Sequence, residues 1–228
     1  DGHKITEYRK AMRLEKQPKS MIVVGSGAIG TEFAYFYNSI GTKVTLIEFL
    51  PKTVPVEDEE ISKELEKSFR KQGITVMTNS EVTSVDTTGE GVKAKVKTQN
   101  GEVTIEADVL LSAVGIAANI ENIGLEELKI KTEKGKIVVD ANQQTNIPGL
   151  YAIGDCTPHQ ALAHKATKEG INAAEHIAGE KPEPIDYNNI PGCTYCTPEI
   201  SSVGFTEKAA KDAGYELKIG KFPFIASG

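Results

Sequence analysis

Residues 21–48 read MIVVGSGAIGTEFAYFYNSIGTKVTLIE, and this stretch decides the fold. It opens with a short apolar run, which is typical of a buried parallel strand. Gly25, Gly27 and Gly30 follow as G-x-G-x-x-G, and the next apolar residues have helical spacing. A second apolar run then ends at Glu48. The stretch therefore predicts a strand, a tight turn, a helix and a second strand.

Each glycine of this pattern has a physical role in binding a dinucleotide. Gly25 permits the tight turn, Gly27 lets a pyrophosphate approach the backbone, and Gly30 lets the helix pack closely on the strand. The free amides and the positive end of the helix then attract the phosphates. Glu48 lies about twenty residues beyond the last glycine, where an acid binds ribose hydroxyls. Because a carboxylate there repels a 2′-phosphate, NAD is favoured over NADP.

The chain after Glu48 extends this unit into an α/β fold. Residues 58–72 are predicted to form a helix and residues 74–77 a third strand, which completes β-α-β-α-β. Residues 82–106 alternate between apolar and polar side chains, which predicts an antiparallel meander. Residues 108–115 then resume the parallel sheet. The predicted fold is a Rossmann-like NAD-binding domain with a parallel sheet and an inserted antiparallel β-meander.

A second informative stretch, LYAIGD at 150–155, is predicted as an apolar strand that ends in Gly154 and Asp155. An acid at a strand end, followed by a helix over 162–177, suits binding of a polyol or ribose. Small residues of that helix are expected to pack closely. Two weaker elements are predicted before it, a loop with a short helical turn over 119–135 and a short strand over 137–139. The predicted organisation is a connector (1–19), an NAD-binding domain (20–117), a second part (118–184) and the start of an α+β domain (185–228).

Composition restricts the class of protein. The chain has 228 residues, of which 39% are hydrophobic and 25% charged, and its net charge is −6. This fits a globular protein without a nucleic-acid footprint, and we expect no membrane span because no apolar run is long enough. Its polar start predicts no signal peptide, and its three cysteines suggest a reducing compartment. We therefore expect a reducing compartment, which the cytoplasm of a bacterium and the mitochondrial matrix of a eukaryote both provide.

Two other constellations are not assigned a function. Cys193 and Cys196 have C-x-x-C spacing, but no second ligand pair follows for zinc, and the stretch does not begin a helix as a thioredoxin-type motif would. His159 and His164 have no serine or cysteine partner at a recognisable spacing. The sequence therefore predicts neither a metal site nor a catalytic triad.

Four stretches together resemble the pyridine nucleotide–disulfide oxidoreductase flavoproteins, and the likeness covers essentially the whole chain. They are VGSGAIGTEF (24–33), LYAIGD (150–155), LAHKATKEG (162–170) and YCTPEISSVGFTE (195–207). The resemblance is strongest to the members that serve 2-oxo acid dehydrogenase complexes. It implies a homodimeric FAD enzyme that reoxidises dihydrolipoyl groups on lipoyl domains and the E2 core. Electrons would pass through a redox-active disulfide and FAD to NAD.

The resemblance also implies which residues bind each cofactor. The NAD pyrophosphate would be lined by Gly25, Gly27, Ala28, Ile29 and Gly30. The remaining NAD contacts would be Glu32 near the nicotinamide, Glu48 at the adenine ribose, Val82 by the adenine, and Gly115. FAD would meet Gly154 and Asp155 at its ribitol or pyrophosphate, and Ala161, Leu162, Ala163 and His164 near the flavin.

Departures from the family pattern lead us to expect a central fragment. By the resemblance, residues 118–184 would be the C-terminal part of the FAD-binding domain, and residues 185–228 the truncated start of the dimerisation (interface) domain. The first FAD-binding half, with its own glycine motif and C-x4-C disulfide, is not in the sequence, and neither is the His-Glu acid–base pair. We therefore expect only an FAD half-site and no disulfide-reductase activity from the fragment by itself, and we assign no catalytic residue. Ile116 also stands where the family commonly has arginine.

Two alternative functions stay open. The chain could belong to another NAD(P)-dependent disulfide reductase, such as a glutathione- or mercury-reducing enzyme, although Glu48 argues against those that use NADP. It could also be a nucleotide-binding module without chemistry of its own.

Overall fold

The computed structural model describes residues 3–226, so the ends of the predicted connector and of the last predicted domain, Asp1, Gly2, Ser227 and Gly228, lie outside it. The chain forms two compact units. The first contains the residues up to Gly115 and those from Cys193 onwards, and the second contains Ile116–Gly192. Within the described range, no helix has the length and apolar character needed to cross a bilayer.

The first unit is built on a five-stranded sheet in which every neighbouring pair of strands is parallel. This confirms the α/β prediction. In chain order its elements are β1 (Ile5–Thr6), α1 (Tyr8–Ala11), β2 (Ser20–Val24), α2 (Ala28–Ser39), β3 (Lys43–Ile47), α3 (Glu59–Lys71), β4 (Thr75–Met77), β5 (Glu81–Asp86), β6 (Val92–Thr98), β7 (Gly101–Ala107) and β8 (Val109–Ser112).

The strand order β1-β8-β2-β3-β4 creates a switch point beside β2. From β2 the chain proceeds through α2 to β3 and through α3 to β4 on one side, and it returns to β8 on the other. Loops that leave the carboxyl ends of β2 and β8 therefore diverge, and a crevice at such a point is the usual ligand site of an open α/β sheet.

The predicted meander is confirmed as a three-stranded antiparallel sheet of β5, β6 and β7. Val92, Ala94 and Val96 of β6 are buried in one apolar cluster with residues of the parallel sheet. The alternate lysines of β6 face solvent, and Lys93 pairs with Glu106 of the next strand at 2.8 Å. The lysine row is therefore the solvated face of a half-buried ribbon.

Residues 1–19, predicted as a connector without a core pattern, do contribute to the sheet and to the core. Ile5 and Thr6 pair in parallel with Leu110 and Leu111 of β8, and Ala11 of α1 is 2% exposed in the main core. A two-residue strand and a one-turn helix are too short to show a periodic pattern of apolar residues in the sequence.

The second unit has little sheet. It contains a small hairpin of β9 (Thr132–Glu133) and β10 (Lys136–Ile137), and a long helix, α4 (Ala163–Ile177). The helical turn predicted within 119–135 is present, because the Leu128 amide donates to the Gly124 carbonyl at 3.1 Å. The strand predicted over 137–139 is reduced to its first residue, which belongs to β10.

The strand predicted over 150–155 is wrong. Tyr151 makes only an isolated antiparallel bridge to Gln144, and Gly154–Cys156 form a short 3-10 helix. Gly154 has a φ of +77°, which bends the chain out of the extended conformation. Its amide donates to the Glu169 carboxylate at 2.7 Å and not to a neighbouring strand.

The segment from Cys193 onwards is part of the first unit. Its elements are β11 (Gly192–Thr194), which pairs with β12 (Ile200–Ser202), and α5 (Glu207–Asp212), as the sequence predicts for an α+β segment. Cys196 and Ile200 are buried in the main core. The Glu207 amide also donates to Asp58 at the start of α3, at 2.8 Å. The predicted domain boundaries themselves stay predictions.

Candidate functional site

The turn after β2 requires glycine at its first position. Gly25 has a φ of +95°, and a Cβ placed on it would lie 2.5 Å from the Ala113 carbonyl oxygen. The Gly25 amide donates to the Ile47 carbonyl at 2.8 Å, and the Ala113 amide donates to the Val24 carbonyl at 2.8 Å. The turn is thus fixed to both neighbouring strands at the switch point.

The other two glycines differ in the space around them. A Cβ on Gly30 would lie 1.9 Å from the Gly25 carbonyl oxygen, so this position packs α2 onto the turn. A Cβ on Gly27 would meet no atom within 4 Å. Gly27 precedes α2 and has no side chain with which to cap it, so the first-turn amides of Ala28, Ile29 and Gly30 face this open space without a helical acceptor. The cradle fits an anion such as a pyrophosphate.

Glu48 lies at the carboxyl end of β3 with its carboxylate held by three donors, and it is 7% exposed. Its Oε2 accepts from the Ser26 amide at 2.7 Å and from the Ser26 hydroxyl at 2.7 Å. Its Oε1 accepts from the Leu50 amide at 2.8 Å. The structure therefore brings the predicted ribose-binding acid to the glycine turn. Sequence reasoning overlooked Ser26, whose only signal was a hydroxyl between two glycines.

Three further predicted residues lie in the first unit. Gly115 is exposed just beyond β8, and Val82 is half-buried at the start of β5. The Ser80 amide donates to the Glu48 carbonyl at 2.9 Å, which brings the β5 entry to the same edge. Glu32 is half-buried on α2, where its Oε1 accepts from the Tyr195 amide at 2.9 Å.

Exposed apolar side chains flank the glycine turn. Phe49, which follows β3, is 67% exposed, and Val114, which follows β8, is 74% exposed. Since β3 and β8 are the two neighbours of β2, these side chains lie on loops on either side of the open cradle. Apolar side chains left in water at the end of a sheet suit a ligand with flat, apolar parts.

The second unit contains a buried ion pair that the sequence analysis missed. Lys165 and Glu169 lie one turn apart on α4, and their charged groups are 3.1 Å apart with both side chains 0% exposed. Lys165 Nζ also donates to the Gly154 carbonyl and to the Thr157 hydroxyl, each at 2.9 Å. The Tyr187 hydroxyl donates to Glu169 at 2.9 Å. The network fixes the turn at Gly154 on α4, and the Lys-x-x-x-Glu spacing was its only sequence signal.

Burial of Tyr187 beside this network raises the pKa of its phenol to about 12, and its hydrogen bond to Glu169 acts in the same direction. The phenol therefore stays protonated and remains a donor to the carboxylate. The paired charges and the donors to Glu169 favour one geometry of this network, although the buried Oε1 of Gln143, whose Nε2 donates to Tyr187, has no hydrogen-bond partner among residues 3–226.

The predicted FAD residues lie around the same turn and helix. Gly154 is buried, whereas Asp155 and the residues that begin α4, Ala163 and His164, are exposed. Leu162 precedes α4 and provides no side-chain cap. The His164 Nε2 is 2.8 Å from the Pro191 carbonyl oxygen. An exposed acid and an uncapped helix start fit a polyol and an electron-rich ring, respectively.

The C-x-x-C residues are in different environments. Cys193 is exposed and Cys196 is buried, and both are free thiols. Burial, together with the smaller effect of the Glu32 and Glu199 carboxylates, raises the pKa of the Cys196 thiol to about 12. Among residues 3–226, no group of three or more His, Cys, Asp or Glu side chains is arranged to hold a metal ion.

Comparison with known proteins gives the family. A model of the pyridine nucleotide-disulphide oxidoreductases matches residues 1–170, and a model of the dimerisation domain of the same proteins matches residues 190–228. The chain belongs to this family. The resemblance read from the four sequence stretches is thereby confirmed.

Curated relatives narrow the likeness within the family. The chain is 46% identical to a dihydrolipoyl dehydrogenase of Rhizobium etli and 40% identical to a mitochondrial one of Pisum sativum, in each case over 100% of its own length. It covers 48% and 46% of those proteins, respectively, so it spans about half the length of these relatives.

A solved member of the family has the same fold. The crystal structure of LpdA from Mycobacterium tuberculosis matches 94% of this chain with a TM-score of 0.85 and 34% sequence identity. The match covers 46% of that structure.

Proposed function

We propose that this chain is the NAD-binding part, together with the second part of the FAD-binding domain, of a flavin-dependent dihydrolipoyl dehydrogenase. The observation that carries the proposal is the glycine turn at the switch point, with a buried acid fixed beside it. The relatives with this name, which match along the whole chain, support the assignment.

Within this proposal the NAD pyrophosphate binds over Gly27, against the first-turn amides of α2, and Glu48 accepts from the adenine ribose. Glu32 lies near the nicotinamide, Val82 near the adenine, and Gly115 along the cofactor. The open space above Gly27 and the position of the Glu48 carboxylate beside the glycine turn support these roles. NAD, when bound, accepts the electrons that FAD delivers.

The FAD half-site is the turn at Gly154 and Asp155 with the start of α4. Asp155 would accept from ribitol or pyrophosphate-side hydroxyls, while Ala161, Leu162, Ala163 and His164 would lie beside the flavin. The buried Lys165–Glu169 pair keeps the turn in place for this purpose. The whole enzyme would be a homodimer that acts on lipoyl domains of a 2-oxo acid dehydrogenase complex. The match to the dimerisation domain supports the homodimer.

Calorimetric titration of the 228-residue chain with NADH and with NADPH tests the NAD assignment. The informative variant is Gly27→Val, because a Cβ at this position would meet no protein atom within 4 Å and the φ of −65° suits valine. The valine would instead occupy the space of the pyrophosphate. Gly89→Val is the matched control, since a Cβ at this exposed loop position also meets nothing within 4 Å.

We expect the parent chain and the control variant Gly89→Val to bind NADH saturably. Both should bind NADPH more weakly. Gly27→Val should fold normally by circular dichroism and give no saturable heat at NADH concentrations that saturate the parent. A parent chain that binds neither nucleotide, or a Gly27→Val variant that binds NADH as the parent does, would contradict the proposal.

A further inference from the structure

We infer that Ser26 is a positioning residue that sets nucleotide specificity by fixing the Glu48 carboxylate. The inference rests on the proposed NAD site and assigns a role to a residue outside the glycine and acid positions of that motif. Ser26 is 0% exposed, and both its amide and its hydroxyl donate to the same Glu48 oxygen at 2.7 Å. The N–H···O bond is shorter than most bonds of its kind, and the O–H···O bond has the usual length.

The Ser26 backbone is itself fixed, so its hydroxyl has a defined position relative to Glu48. The Ser26 carbonyl accepts from the Val54 amide at 3.0 Å and from the Thr31 hydroxyl at 3.1 Å. Val54 and Thr31 are both buried. A donor held in this way orients a flexible glutamate, whose side chain would otherwise lose entropy on being ordered by the ligand.

The three donors leave the two oxygens of the Glu48 carboxylate unequally occupied. A carboxylate has about four acceptor positions, two on each oxygen. Ser26 fills both positions of Oε2, while the Leu50 amide fills one position of Oε1. Oε1 therefore keeps one position for a hydroxyl donor. A ribose hydroxyl satisfies it, whereas a 2′-phosphate has no proton to donate and brings negative charge to a carboxylate that is held in place.

The Ser26 hydroxyl has no substitute when it is removed. Ser26 is fully buried, so removing its hydroxyl leaves one acceptor position of Oε2 without this donor. The oriented conformation of Glu48 then loses part of its advantage over conformations in which the side chain withdraws. NADH should bind less tightly, and NADPH should be rejected less strongly.

The test is the ratio of NADH to NADPH affinity, measured by calorimetry on the 228-residue chain with Ser26→Ala. We expect NADH to bind more weakly and the ratio of NADH to NADPH affinity to fall by about three- to tenfold. This change is smaller than the full effect of losing one hydrogen bond to a charged group. Ser62→Ala is the matched control. Ser62 is also 0% exposed, and its hydroxyl donates to the Asp58 carbonyl at 3.3 Å within α3, so its loss should leave the ratio unchanged.

A double-mutant cycle separates positioning from general loss of stability. In a Glu48→Gln background the carboxylate charge is gone, so adding Ser26→Ala should not change the ratio further. If Ser26→Ala does not fold by circular dichroism, Ser26→Cys is the second variant. It keeps the number of side-chain heavy atoms, replaces the strong donor with a weak one, and should lower the ratio of NADH to NADPH affinity in the same direction.

Two results would overturn the inference without affecting the proposed NAD site. The ratio of NADH to NADPH affinity could stay at the parental value in the folded Ser26 variant, or Ser26→Ala could change it equally in the Glu48→Gln background. A parent chain that binds neither nucleotide would instead remove the proposed function, and the inference with it.

Discussion

Neutralising either member of the Lys165–Glu169 pair should strongly destabilise the second unit. Both side chains are 0% exposed, and Lys165 Nζ has three acceptors within 3.1 Å. Lys165→Met keeps the length of the side chain but leaves the Glu169 charge without its cation. Removing one partner of a buried pair costs about 3–5 kcal/mol, so we expect this loss of unfolding free energy for Lys165→Met and for Glu169→Gln.

The two changes should be strongly non-additive. Lys165→Met/Glu169→Gln contains neither buried charge, so it should be more stable than the sum of the single losses predicts, by about 2 kcal/mol. Lys168→Met is the matched control, because Lys168 is exposed on the same helix, and its change should stay within about 0.5 kcal/mol.

Native-state hydrogen exchange is the appropriate assay, because a chain of two compact units does not guarantee two-state unfolding. The Gly154 amide is a direct reporter, since it donates to Glu169 at 2.7 Å. The reasoning is refuted if the single variants lose less than about 1 kcal/mol, or if the double variant loses their full sum.

Three other consequences of the structure can be measured. Gly30→Ala should unfold the first unit in circular dichroism, because its Cβ would lie 1.9 Å from the Gly25 carbonyl oxygen; a folded variant would contradict this packing. In mass-spectrometric alkylation near neutral pH, exposed Cys193 should react well before Cys196, whose pKa is raised by burial to about 12; equal rates would contradict it. Burial raises the pKa of Tyr187 from 10.0 to about 12, so its contribution to stability should be complete below pH 10.0 and lost as pH rises towards 12. Ultraviolet titration should show a late tyrosinate step that Tyr187→Phe removes, and an unchanged titration in that variant would count against this.

The α/β fold of the first unit could be predicted because its signals are local. A buried strand, a glycine turn and an amphipathic helix each show their own spacing within residues 21–48. The later strands and helices of the parallel sheet show the same spacings. The alternation in β6 likewise predicted its buried and solvated faces.

The features that could not be predicted from the sequence depend on contacts between distant residues. LYAIGD has the composition of a strand, but Gly154 bends the chain, and its amide bonds to Glu169 fifteen residues away. Lys165 and Glu169 were overlooked because charged side chains on a helix usually face solvent. Their burial follows only from the turn that α4 packs against.

The N-terminal strand was missed for a different reason. Ile5 and Thr6 gain their conformation from pairing with β8, more than a hundred residues later, and two residues carry no period of their own. Ser26 was overlooked because the glycines on either side explain the turn by themselves. Its role depends on Glu48, which the chain brings to it only when β3 pairs with β2.

The central claim is that NAD binds at the glycine turn beside Glu48, and a residue-resolved NMR titration with NADH tests it most directly. The account predicts that the largest amide shifts fall on Gly27, Ala28, Ile29 and Gly30, with further shifts after β3 and β8. Saturating shifts confined to other parts of the chain, with these amides unmoved, would contradict it.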